Sequence, residues 1–290
     1  MENDLMARIR KNRESFSKGQ RSIADFITEN YDKAAYMTAA RLGETTGVSE
    51  STVVRFATEL GYSGYPHMQR ELREMIHTRL TSLQRLELTW ERMQGRSIFK
   101  GVMENDIDKI YGTMEAVGGD VFDQAVDMIL NAKRIYILGL RTSSFLAGFL
   151  GFYFRLLFDK VNIVGGATGE NDIFESLFRV GPDDVVIGIS FPRYSKRTLR
   201  GMRFARDKGA GIIALTDCAG SPITATADCS LFAPCEMASF VDSLVAPLSL
   251  INALIVSIGM KKRDEISETF ETLEEIWDEY ETYEKFDGDV

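Results

Sequence analysis

The sequence predicts an α/β protein with an N-terminal all-α domain, in which the α/β part is built on a five-stranded parallel sheet. Three observations carry this. Residues 1–94 show helical periodicity throughout. Beyond about residue 102, short Val/Ile-rich runs alternate with helical stretches, the pattern of βαβ units. Between them, Gly95–Gly101 has the composition of a linker. The expected organisation is therefore a first domain over 1–94, a linker over 95–101 and a second domain over 102–290.

In the first part, Ser17-Lys-Gly-Gln20 has the spacing of a capping box, and Ile23, Phe26, Ile27 and Tyr31 follow as an apolar stripe. A short helix is expected from Thr38 to Thr46, broken at Gly47. Another should run from Ser49 to Leu60, stopped by Gly61. Pro66 suits the start of one long helix reaching about residue 94. In the second part, helices are expected over 102–117 and 120–131. The strand-like runs are Arg134–Gly139, Val161–Val164, Asp184–Ser190, Gly211–Thr216 and Cys229–Phe232. An apolar helix over about 239–260 and an acidic amphipathic one, striped by Ile266, Phe270, Leu273, Ile276, Trp277, Tyr280 and Tyr283, close the chain.

Composition excludes several function classes. The longest apolar stretches, near 144–158 and 244–260, are interrupted by Ser, Arg or Asn, so no membrane span is expected. The first fifteen residues lack a signal peptide's apolar segment, which points to a cytoplasmic protein. Cys218, Cys229 and Cys235 form no CxxC, which argues against a disulfide framework or structural zinc, and neither metal nor cofactor is expected. Both histidines, His67 and His77, lie in the first domain, leaving the second without the commonest general base. The net charge of −9 is uneven. Residues 1–80 are nearly neutral, while the last 27 residues hold 12 acids and one lysine. A DNA-facing surface so weakly basic needs paired copies, so a homodimer or homotetramer is expected.

Residues 38–60 have the layout of a helix-turn-helix. Gly43 stands where two helices cross, and Gly47 where the turn needs a left-handed backbone. Ser49 is a good N-cap. Val53, Phe56, Ala57 and Leu60 form the inward stripe. The opposite face offers Glu50, Ser51, Thr52 and Arg55 to base edges. Arg41, His67, Gln69, Arg70 and Arg73 are candidate phosphate contacts. The partner implied is double-stranded operator DNA. The stretch Gly47-Val-Ser-Glu-Ser-Thr-Val-Val-Arg-Phe-Ala-Thr-Glu-Leu-Gly-Tyr-Ser-Gly-Tyr65 resembles the signature of the RpiR family of bacterial transcription regulators, a similarity extending from about Phe16 to Leu72. That resemblance implies a winged-helix-like, all-helical DNA-binding domain with Ser49–Leu60 as recognition helix.

Two turns of the second domain carry ligand chemistry. Gly139-Leu-Arg-Thr-Ser-Ser144 follows the first strand, and Ser190-Phe-Pro-Arg-Tyr-Ser-Lys-Arg197 the third. Each leads from a strand's C-terminal end into a helix, where backbone amides and hydroxyls can meet an anion. The alternative for Ser143 and Ser195 is plain helix capping, with Lys196 and Arg197 in water. Both turns resemble those of the sugar isomerase (SIS) domain, a flavodoxin-like sandwich that follows the DNA-binding domain in the RpiR family. The resemblance spans roughly Leu130–Ile258. It implies that Ser143, Ser190 and Ser195, with Ser144 adjacent, hold a sugar phosphate. Arg141 replaces the usual second glycine of the first turn, and Pro192-Arg193-Tyr194-Ser195-Lys196-Arg197 replaces the usual Ser-Gly-x-Thr-x-Glu. The added cations Arg141, Arg193, Lys196 and Arg197 point to an anionic sugar effector. The expected function is a regulator whose operator binding is controlled by that effector, not an enzyme. The alternative is a sugar-phosphate isomerase or lyase with an appended DNA-binding domain, for which Glu170, Asp172, Glu175 and Glu236 are the candidate bases. A third is a purely structural DNA protein.

Overall fold

A computed structural model describes residues 5–79, 82–93, 95, 97–166, 172–235 and 241–284. Within these, the side chains of residues 32, 73–79, 82, 85, 88 and 91–93 lie outside the description. The described residues form two compact units, one up to residue 93 and one from residue 95.

The first unit is all-helical: α1 (Leu5–Asn12), α2 (Lys18–Glu29), α3 (Tyr31–Ala34), α4 (Ala39–Thr46), α5 (Glu50–Glu59), α6 (Tyr65–Arg79) and α7 (Ser82–Met93). Ser17 and Gln20 close the expected capping box on α2. Asn30 ends that helix, so Tyr31 opens α3 instead of extending the stripe. Phe16, Ile23, Ile27, Leu42, Val53, Phe56, Met68 and Leu72 form one buried cluster. The single helix expected over 66–94 is described as two, α6 and α7, with residues 80 and 81 outside the description. No strand, and so no β-wing, occurs among this unit's described residues.

The second unit begins earlier than expected. Ser97 caps α8 (Ile98–Ala116), so residues 98–101 of the expected linker are helical. A hydroxyl cap followed by Ile98, Phe99 and Val102 outweighs the flanking glycines. Then follow α9 (Gly119–Leu130), β1 (Arg134–Gly139), α10 (Ser143–Leu157), β2 (Val161–Val164), α11 (Ile173–Leu177), β3 (Asp184–Ile189), α12 (Lys196–Asp207), β4 (Gly211–Thr216), β5 (Cys229–Phe232), α13 (Val245–Lys261) and α14 (Arg263–Glu279). α13 starts six residues later than the expected 239, and of those six, 239 and 240 lie outside the description. No single helix among the described residues is long and apolar enough to cross a membrane.

The five strands are parallel, in the order β2-β1-β3-β4-β5. Alternation divides them between two cores. Ile135, Ile137, Val185, Ile187, Ile213 and Leu215 pack with α9, α10 and α13. Tyr136, Leu138, Val186, Ile212 and Ala214 pack with α11 and α12. Burial on both faces explains why the strands read as unbroken apolar runs. At the opposite end from the turns of interest, Arg134 and Asp184 are register partners in β1 and β3. Their side chains form a two-toothed ion pair at 2.9 and 2.8 Å.

Candidate DNA and ligand sites

In the first unit, Thr38 caps α4 and Gly47 ends it with φ +72°, the left-handed geometry the turn requires. A Cβ on Gly43 would lie 2.8 Å from the Val48 carbonyl oxygen and 3.3 Å from the Glu50 amide nitrogen. The glycine therefore sets how closely α4 meets the turn into α5. Ser49 caps α5, accepting from the Thr52 amide at 3.3 Å. Its hydroxyl also lies 2.9 Å from those of Ser51 and Thr52. Val53, Phe56 and Ala57 are fully buried and Leu60 nearly so, which fixes the outward face of α5.

That face carries Glu50, Ser51 and Arg55, all exposed, with Thr52 half-buried. It also carries two residues the sequence reading left out. Val54 is 39% exposed between Ser51 and Arg55, and Thr58 is exposed one turn beyond. Helical spacing of three, from Ser51 to Val54 and from Arg55 to Thr58, was the available signal. An exposed valine on such a face suits a thymine methyl group. Arg41 is exposed on α4 and pairs with Glu44 at 3.2 Å. Arg70 is exposed on α6. Two expected phosphate contacts have other work. Gln69 donates to the Met37 carbonyl at 2.6 Å, beside the Tyr65 hydroxyl at 2.7 Å. The His67 ring sits 3.2 Å from the Ser63 hydroxyl at the start of α6. The Arg73 side chain lies outside the description.

In the second unit, the strand order reverses between β1 and β3. Ligands of open parallel sheets sit at such a switch point, outside the strands' carboxyl ends. Gly139 of β1 is register partner of Ile189 of β3, and Ile189 of Leu215 of β4. The three following turns therefore leave the sheet at one level. At the first, a Cβ on Gly139 would fall 2.5 Å from the Ser143 carbonyl oxygen and 2.9 Å from Ala147 Cβ, so glycine lets α10 begin directly against β1. Ser143 is buried. The Ser144 hydroxyl donates to the Arg141 carbonyl at 2.6 Å, which stiffens the turn.

The second turn is tied inward. Ser190 is buried, and its hydroxyl accepts from the Ser195 amide at 3.3 Å. Ser195 caps α12, accepting from the Thr198 amide at 3.2 Å. Capping is thus one of its roles, and its hydroxyl proton remains available to a ligand oxygen. Thr216 donates to the Ser190 carbonyl at 2.7 Å and lies 2.7 Å from the Ser221 hydroxyl. Arg193, Lys196 and Arg197 are exposed at the same turn. Tyr194, unremarked in the sequence except as a departure, donates to both oxygens of Asp217. Burial, then the Asp217 charge, pushes the Tyr194 hydroxyl far above its ordinary range, so it keeps the proton that it donates to Asp217.

Arg141 and Arg193 share a further property. Their φ angles are +56° and +35°, so both side chains sit on left-handed backbone. Each stands where the resembled pattern has glycine. Holding an L-residue there costs about 1–2 kcal/mol.

Of the candidate bases, Asp172 caps α11, accepting from the Phe174 amide at 2.8 Å. Glu175 is exposed, and Glu170 and Glu236 lie outside the description. Among the described residues no group of three or more His, Cys, Asp or Glu could hold a metal ion. Cys229 and Cys235 are buried, Cys218 is half-buried, and none is in a disulfide.

These two units define a helix-turn-helix transcription regulator joined to an α/β domain of the sugar-isomerase fold. Residues 3–79 match the helix-turn-helix domain of the rpiR family, and residues 128–257 match the SIS domain. With both domains in this order, the chain belongs to the RpiR family. It is 26% identical over 286 residues to the HTH-type transcriptional regulator HexR of Escherichia coli, covering 94% of this chain and 95% of that one. HexR of Pseudomonas aeruginosa is 23% identical over 266 residues, covering 89% and 90%. Among solved structures, the sugar isomerase domain of an RpiR transcription factor from Sphaerobacter thermophilus matches 61% of this chain and 98% of its own, at 25% identity and a TM-score of 0.57. The Vibrio vulnificus NanR protein, complexed with ManNAc-6P, shares the fold over 94% of this chain and 99% of its own, at 22% identity and a TM-score of 0.57.

Proposed function

We propose that this regulator binds operator DNA through the outward face of α5, and that an anionic sugar derivative, in class a sugar phosphate, controls that binding from the turns after β1 and β3. The observation that supports the reading is the register of β1 and β3, from whose adjacent ends leave the turn with Ser143 and the turn with Ser190, Ser195 and their neighbouring cations. Serine hydroxyls and turn amides suit a phosphate. The ManNAc-6P held by NanR, on the same fold, agrees with that chemistry.

Specific reading falls to Ser51, Thr52, Val54 and Arg55, with Glu50 selecting against or for a base amino group. Arg41 and Arg70 hold the phosphate backbone. Ser49 acts through the helix start it caps. We read the second domain as a sensor, not an enzyme: Arg197 stands where the family pattern has glutamate, and Asp172 is committed to a helix cap.

A single weakly basic unit gains affinity by pairing, so the working species is a dimer or tetramer. The surface that suits self-association is on α8, where Phe99, Met103, Ile107, Tyr111 and Met114 recur at helical spacing and are 49–74% exposed. An effector can change DNA affinity only as far as it binds two arrangements of the assembly unequally. The test is a footprinting titration of genomic operator fragments with and without a panel of sugar phosphates. A protected site whose midpoint moves with one ligand supports the reading. A midpoint indifferent to every ligand, with none shifting the thermal midpoint of the protein, overturns the sensing half. Uniform protection without preferred sites overturns the operator half.

A further inference from the structure

We infer that the basic outer face of α12 is a docking surface for the acidic face of α14 from a second copy of this chain, a head-to-tail contact that joins regulator molecules beyond the dimer or tetramer proposed above.

α12 is basic out of keeping with the chain that carries it. The protein has a net charge of −9, yet five of the twelve residues of α12 are Lys or Arg and one, Asp207, is an acid. Three of the five have a place already. Lys196 and Arg197 belong to the turn of the proposed sensing site, and Arg206 is held by Asp228 at 2.7 Å and the Thr226 carbonyl at 2.8 Å. Arg200 and Arg203 remain. Both are exposed, and neither side chain has a hydrogen-bond or ion-pair partner among the described residues. Three residues apart, they share one face of the helix, where like charges repel. Asp207 and Glu175, exposed on α12 and the adjoining α11, form no ion pair with them. Arg179, over the Phe178 ring, and Lys208, over the Phe204 ring, extend the basic surface.

α14 is the counterpart. Asp264, Glu268, Glu271, Glu275 and Asp278 recur at spacings of three and four, which sets them on one face. All five are exposed, opposite the half-buried Ile266, Leu273 and Trp277. Glu268, Glu271 and Glu275 have no ion-pair partner among the described residues. This helix, too, carries a row of repelling charges.

The two faces cannot meet within one copy. α14 packs against α10 and α13, whose core lies on one face of the sheet, and α12 belongs to the core on the other. Between copies they can meet, and one such contact relieves both rows of charge at once. A nucleic acid would neutralise α12 alone and be repelled by α14. Exposed rings flank both faces, Phe178 beside α12 and Tyr280 at the end of α14, and arginine against a ring adds to such a contact. The shorter helix spans about 18 Å, so the pair covers less than a stable interface of about 1,200–2,000 Å². The contact is therefore weak and salt-sensitive, and it acts where copies are held close together, as on neighbouring operator sites. Because it joins two different surfaces, it can extend from copy to copy.

Sedimentation velocity of the full chain over a concentration series, at about 50 mM and about 500 mM salt, tests it. The parent should form species larger than its dimer or tetramer at low salt and lose them at high salt. Arg200→Glu with Arg203→Glu, and separately Glu271→Lys with Glu275→Lys, should each raise the concentration those species need by about tenfold or more. Mixed in equal amounts, the two variants should associate within about threefold of the parent, since the new acids of one meet the new lysines of the other. A misfolded variant could not be rescued in this way. A parent that never exceeds its dimer or tetramer overturns the inference, as does association that ignores salt, survives either variant or is not restored by mixing. If the α12 variant weakens binding to a single operator and the α14 variant does not, the basic face serves DNA and the inference falls.

Discussion

Tyr194, on the turn after β3, donates its hydroxyl to both carboxylate oxygens of Asp217 at the end of β4, at 2.9 and 3.1 Å. The bond joins two neighbouring strand ends across 23 residues of chain. It holds the cation-rich turn against the sheet and engages both oxygens of that carboxylate. Removing the hydroxyl takes away both of these bonds, while the Thr216 hydroxyl stays 3.1 Å from the same carboxylate. Tyr194→Phe is therefore expected to destabilise the second unit by about 1.5–3 kcal/mol, the range for a hydrogen bond to a charged group. Urea denaturation followed by circular dichroism measures it. An unchanged midpoint would mean that the turn is held by Ser190 and Ser195 alone.

Alkaline pH should weaken the second unit at both ends of its sheet. Burial, and then Asp228, raises the Cys229 thiol from 9.0 to about 11. Tyr194 is raised from 10.0 by burial first and the Asp217 charge second. In both, the folded state binds the proton more tightly than the unfolded one. The stabilisation is complete below the unfolded pKa and is lost as pH rises through the folded one. Stability should hold to about pH 9 and then fall, with the Cys229 part lost between about pH 9 and 11. Cys229→Ala should flatten that first segment of a thermal-midpoint profile, and an unaltered profile would contradict the assignment.

Much of this architecture was legible in the residues, and what was not has physical reasons. The five strands were readable because each is a Val/Ile run between turn residues, buried on both faces. The capping box at Ser17 and the turn at Gly47 are local, and local hydrogen bonds leave local signatures. The Gln69–Met37 bond, the Tyr194–Asp217 bond and the start of α8 inside the expected linker are not. Two of these join residues far apart in sequence, and the third set a single hydroxyl cap against two glycines. The left-handed arginines were half visible. The departure from glycine was noted at Arg141 and Arg193, but only the backbone angles show that the conformation stayed when the residue changed.

At the other end of the same strands, the Asp184 carboxylate is fully buried and held by Arg134 and by the Gly181 amide at 2.8 Å. Arg134 itself is 30% exposed, so solvent screens part of the loss when it is removed. Arg134→Met should lower the urea midpoint, though by less than removing one partner of a fully buried pair would. Replacing both residues, with Arg134→Met and Asp184→Leu, should recover a large part of that. The double-mutant cycle in urea measures the coupling. A single variant as stable as the parent would show that water serves Asp184 equally well.

The α8 stripe should report on assembly. Ile107 is 52% exposed and Tyr111 62%, so a charge there costs the isolated chain little. Ile107→Glu with Tyr111→Glu should shift sedimentation toward monomer and weaken operator binding by about tenfold or more, while the thermal midpoint measured at high dilution stays close to the parent's. A dimer that survives both charges would move the interface to another surface.

The last prediction separates reading DNA from holding the reader. Arg55 and Val54 face outward on α5, whereas Gly43 is buried beneath its start. Arg55→Ala removes one fork and should weaken operator binding by about 1–3 kcal/mol with relaxed base preference at one position, leaving the fold intact. Val54→Ala should relax preference for thymine alone. Gly43→Ala acts differently. Its Cβ would meet the Val48 carbonyl oxygen at 2.8 Å, and a backbone atom cannot rotate away. The turn must shift, so the first unit should lose about 1–3 kcal/mol of stability and bind all DNA more weakly, specific and non-specific alike. Electrophoretic titrations against operator and scrambled fragments, paired with thermal unfolding, distinguish the two. If Arg55→Ala weakened both fragments equally, its role would be a phosphate contact, and the base-reading assignment of α5 would pass to Ser51 and Val54.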